Sequence, residues 1–66
     1  MIITYTRTTT GWTATVNDIV KWFIKYANDG KYDVYEVVDK NNGCLLRTTA
    51  ADLARAKTYV SLNATA

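Results

Sequence analysis

The strongest limit on this chain is that it lacks a staple. It carries one cysteine, Cys44, and no histidine in 66 residues. A domain of that size buries only about 60% of the surface its unfolded chain exposes. A single core below roughly 70–80 residues seldom supplies more than about 3–5 kcal/mol, so small domains lean on disulfides, a structural metal or a partner. One thiol closes no intramolecular disulfide, and without imidazole or a second thiol there is no zinc set. Stability must come from packing or from association. No metal and no cofactor is implied.

The remaining composition narrows the class. A hydrophobic fraction of 48% and a charged fraction of 21% are ordinary for a folded globular domain. The net charge of +2 is mild. It permits an acidic partner, falls short of a dedicated nucleic-acid binder, and excludes a DNA mimic. No run approaches the roughly 18 apolar residues of a membrane span. Met1 to Tyr5 lacks the charged and apolar regions of a signal peptide. A free thiol suits a reducing compartment, so the expected location is cytoplasmic. The expectation is one domain over residues 1–66, with 61–66 as a frayed tail.

Periodicity then divides the chain. Ile3, Tyr5 and Arg7 alternate with Thr4, Thr6 and Thr8, the period-two pattern of a half-buried strand. Thr9-Thr10-Gly11 reads as a turn, and Trp12, Ala14 and Val16 alternate again, which makes a hairpin. Thr15-Val16-Asn17-Asp18 matches a capping box, with Thr15 as N-cap. Val16, Ile19, Val20, Phe23, Tyr26 and Ala27 then recur at helical spacing, up to the stop Asn28-Asp29-Gly30. Tyr32 to Val38 reads as a strand, Lys40-Asn41-Asn42-Gly43 as a type I′ hairpin turn, and Cys44 to Arg47 as the returning strand. Thr49-Ala50-Ala51-Asp52 repeats the capping box before the stripe Leu53, Ala56 and Val60. The two halves thus match, although two copies of so short a motif also arise by coincidence. The expected fold is α+β, ββαββα: a four-stranded antiparallel sheet with two helices on one face. The alternative is βαββα, with residues 9–15 as a loop.

Little here supports catalysis. General acid–base work wants a histidine or paired buried carboxylates. Asp18 and Asp52 read as helix-start residues, and Asp29 and Asp39 fall at turns. Asp33 and Glu36, three apart on one strand, face opposite sides. Cys44 has no evident base to activate it and reads as a small hydrophobe. The chain is therefore expected not to be an enzyme.

Binding surfaces remain. The helix expected from Val16 confines its polar residues to a narrow strip and leaves Trp22 and Ile24 on opposite flanks. Either the second helix covers them, or Trp22, Ile24 and Tyr26, rimmed by Lys25, form a partner or dimer interface. The helix-free sheet face would carry Thr4, Thr6, Thr8 and Thr13, which are ordinary solvated strand residues. With Arg7, Arg47, Tyr32 and Tyr35 the same face could stack bases and contact phosphates. Lys21, Lys25 and Lys31 read as solvating charges. The strand–turn–strand–helix run Tyr35 to Val60 is similar in outline to small integrase-arm and AP2-type DNA-binding modules, which use three strands and more basic residues.

The leading expectation is a small non-enzymatic module that binds a larger protein and occludes it, with a homodimer as one form. Phage and mobile-element inhibitors of a nuclease, polymerase or defence complex are its analogues in style. The alternatives are a nucleic-acid-binding regulator using the sheet face and a homo-oligomeric assembly subunit.

Overall fold

The computed structural model describes residues 1–39 and 43–65. Five strands precede one helix: β1 (Ile3–Thr8), β2 (Gly11–Val16), β3 (Ile19–Tyr26), β4 (Tyr32–Asp39), β5 (Gly43–Ala50) and α1 (Leu53–Asn63). The strands form one antiparallel sheet in the order β1-β2-β3-β4-β5, so each pairs with its neighbours in sequence. Both the ββαββα and the βαββα arrangements are overturned. The fold is α+β, with five strands in place of four and one helix in place of two.

The difference lies in residues 15–27. What resembles a capping box is the end of β2 and a two-residue turn. Asn17 and Asp18 adopt φ of 50° and 70°. Two consecutive positive φ values define the type I′ turn, whose twist matches the flanking strands. Asp18 is therefore a turn residue. The segment that follows, Ile19 to Tyr26, is β-branched or aromatic at every position except Lys21 and Lys25. Such side chains favour a pleated strand. Its buried residues, Trp22 and Ile24, are two apart, as a strand requires. In a run so uniformly apolar, helical spacing is found alongside strand spacing and cannot arbitrate.

The first hairpin forms as expected, with the turn at Thr9-Thr10 and Gly11 opening β2. Gly11 has a close-packing role: a Cβ there would collide with the carbonyl oxygen of Ile24 across the sheet. The expected Lys40-Asn41-Asn42 turn lies outside the described residues. The helix starts three residues later than the second Thr-x-x-Asp pattern implies. Asp52 is the N-cap, and its side chain accepts a hydrogen bond from Arg55 N at 2.8 Å. Thr49 belongs to β5, where Oγ1 donates to Asp33 Oδ1 at 2.8 Å.

One side of the sheet carries the core. Ala14, Val16, Trp22, Ile24, Val34 and Ala50 meet Ala56 and Val60 of α1. Alanines at three of these positions let the helix lie close to the strands. Fully burying a Val or Ile side chain contributes roughly 1.5–3 kcal/mol, and Val16, Ile24, Val34 and Val60 are all fully buried. Tyr59 meets Trp22 edge-on, with ring centroids 6.0 Å apart. Tyr5 reaches the middle of the helix: its hydroxyl donates to Lys57 O at 3.1 Å and lies 3.2 Å from Ser61 Oγ, one turn further on. Lys57 Nζ sits 5.1 Å above the Tyr5 ring and 4.6 Å above that of Trp12.

Three register shifts interrupt the ladders; one leaves Val38 extra between Val37 and Asp39, and the other two adjust which side chains face the helix. Ala14 pairs with Trp22 but Thr15 with Val20, which leaves Lys21 as the extra residue. Val34 pairs with Thr48 but Tyr35 with Leu46, which makes Arg47 the extra residue.

Candidate functional site

The structure does not bring the expected interface residues together. Trp22 and Ile24 are 2% and 0% exposed, at the centre of the core, so no partner reaches them while the fold is intact. With no helix at this position there are no helix flanks to expose them. Lys25 lies on the helix-free side of β3, with Nζ 5.4 Å from the Tyr35 ring centroid. Tyr26 is 60% exposed, at the end of β3 on the helix side, edge-on to Tyr32 at 5.5 Å.

Of the residues expected to contact nucleic acid, Arg7 and Tyr32 come together, while Tyr35 and Arg47 stand apart from them. Arg7 is registered with Trp12, and both line a cleft with Tyr32 on the helix side. Tyr35 lies on the opposite side, registered with Phe23. Arg47 is occupied: Nε donates to Glu36 Oε1 at 2.9 Å, in a half-exposed ion pair. No shared face offers all four to one ligand.

Four of the acids have local structural partners, and a fifth forms a turn. Asp33 accepts from Thr49, Glu36 pairs with Arg47, and Asp52 caps α1. Asp29 stands 4.0 Å from Lys31, and Asp18 forms the turn.

The helix-free side divides into two regions. Over β1 and β2 it is a threonine field, with Thr4 opposite Thr15 and Thr6 opposite Thr13. Toward β5 it becomes apolar. Phe23 pairs with Tyr35, Tyr35 with Leu46, and Val37 with Cys44, so these side chains form one strip. A hollow of about 380 Å³ opens among Phe23, Lys25, Tyr35 and Cys44. Cys44 is exposed, and Leu46 is 53% exposed. Leu45 points to the other side, opposite Glu36, and is 51% exposed beyond the reach of α1. Among the described residues, β5 pairs on one edge only. Phe23, Val37, Leu45 and Leu46 are absent from the expected site. A signal for them exists in Cys44-Leu45-Leu46, an unbroken apolar run in a strand that ends the sheet.

The fold and its surfaces define a five-stranded antiparallel meander, covered by a helix on one side and bearing an open apolar strip on the other. Compared with protein-family models, curated proteins and solved structures, the chain finds no match. Among the described residues, no helix is long and apolar enough to cross a membrane.

Proposed function

We propose that this chain is a non-catalytic protein-binding module that docks its partner on the β5 side of the open sheet face. The supporting observation is the uncovered strip Phe23, Tyr35, Val37, Cys44 and Leu46 beside an eight-residue edge strand. Contiguous exposed apolar surface marks protein interfaces. A free edge adds a row of unpaired backbone donors and acceptors, the template for strand addition. The partner that fits is a protein with an extended segment bearing apolar side chains at alternate positions. Lys25 at the rim favours an acidic residue beside them. The module would act by occluding the segment it pairs with.

Leu46→Lys is the test. Its side chain is half in solvent, so the variant folds and retains its circular dichroism spectrum and melting temperature. Hot-spot truncations cost at least about 2 kcal/mol, so partner affinity should fall roughly 30-fold. Thr4→Lys, on the threonine field of the same face, should leave it unchanged. Equal capture of a native partner by wild type and both variants would refute the reading. Sedimentation velocity separates a foreign partner from a second copy, since only the latter makes the wild-type chain self-associate. Nucleic-acid binding would instead weaken steeply with salt.

A further inference from the structure

The geometry points to a second site, on the opposite side of the sheet, for a small planar aromatic anion. A cleft of about 540 Å³ opens between the β1–β2 turn and the start of α1, walled by Arg7, Trp12, Tyr26, Tyr32 and Leu53. Small-molecule sites typically measure roughly 300–1,000 Å³ and combine aromatic walls with a few convergent polar groups. This cleft has that makeup, and it depends on no part of the β5 surface.

Its charge selects the ligand. The residues lining it include no acid. The ion pairs of the described residues engage Lys31, Arg47 and Arg55, which leaves the Arg7 guanidinium without a carboxylate. Arg7 is the one charged residue of the lining; Lys57 stands outside it, over the Trp12 and Tyr5 rings. An unpaired guanidinium presents a planar fork of donors that matches a carboxylate in two parallel hydrogen bonds, and it also takes phosphate. The rings supply the rest. Trp12 is the cross-strand neighbour of Arg7, and Tyr26 meets Tyr32 at 84° with centroids 5.5 Å apart. Aromatic groups set edge to face leave faces free for a flat ligand to stack on. An anionic group held by Arg7 and a ring laid against Trp12, Tyr26 or Tyr32 satisfy the whole cleft. A neutral ring leaves the guanidinium unused.

The test is a two-dimensional NMR titration of the intact chain, followed at the Trp12 indole N–H and the Arg7 Nε–H. Indole-3-carboxylate, adenosine monophosphate and neutral indole are the probes. Saturable shifts confined to the cleft, with either anion binding more tightly than indole, support the site. Which anion binds more tightly tells carboxylate from phosphate. Arg7→Gln should weaken anion binding about tenfold or more, the loss expected when a charge-assisted pair is removed. Should that variant disturb resonances beyond the cleft, Arg7→Lys keeps the charge without the fork and should bind at an intermediate level. The assignment is overturned if neither anion saturates by about 10 mM. Binding of indole as tight as its carboxylate, or unaltered anion binding in Arg7→Gln and Arg7→Lys, would overturn it equally.

Discussion

Asp18 holds a φ of 70° in the turn between β2 and β3, a region where residues with a Cβ are strained. Asn suits the first position of a type I′ turn, and Gly is favoured at the second. Asp18→Gly removes the strain and should raise stability by roughly 0.5–1 kcal/mol, after subtracting the entropy glycine adds to the unfolded chain. For a domain of this size about 1 kcal/mol moves the melting temperature by roughly 4–8 °C, so thermal unfolding should show a gain of a few degrees. A loss would mean that Asp18 makes a compensating contact or that the turn is of another type. The same residue shows how far local patterns reach. Thr15-Val16-Asn17-Asp18 satisfies the spacing of a capping box, yet Asn17-Asp18 between β-branched residues is also a turn signal. Only the strand character of the residues that follow decides between them.

At the level of elements, β1, β2, β4, β5 and α1 were legible because their signals agree: alternation in the strands, glycine near the turns, and a polar cap before an apolar stripe. β3 was not, because its eight residues are apolar on both sides apart from its lysines, and a run of that kind carries two periods at once. The candidate site moves with the period of this segment. Trp22 and Ile24 are flank residues if the segment is helical and core residues if it is extended. The apolar strip itself depends on the bulge at Arg47, which turns Leu46 and Cys44 to the face of Tyr35 and Val37 and leaves no mark in the local pattern. The helix start is open to a direct check. Asp52→Ala should cost about 0.5–2 kcal/mol in urea unfolding, and Thr49→Ala less than half as much. Equal costs would show that the cap had been placed on the wrong residue.

On the scale of the whole molecule, a meander is built from contacts between neighbours in sequence, and among the described residues its first strand pairs on one side only. Such a strand is ordinarily the first to fray. Here the Tyr5 hydroxyl ties it to the middle of α1, across a sequence separation of 52 residues. That hydrogen bond couples the opening of β1 to that of α1. Amide hydrogens in β1 and α1 should therefore exchange with a common opening free energy. Tyr5→Phe should lower both by about 0.5–1.5 kcal/mol while leaving β3 and β4 at the global value. Lifting the helix off the sheet would also loosen β1, which would then be held by its ladder with β2 alone. The hydroxyl of Tyr5 thus works as the catch on a lid, and its fastening determines how many strands a passing chain could invade.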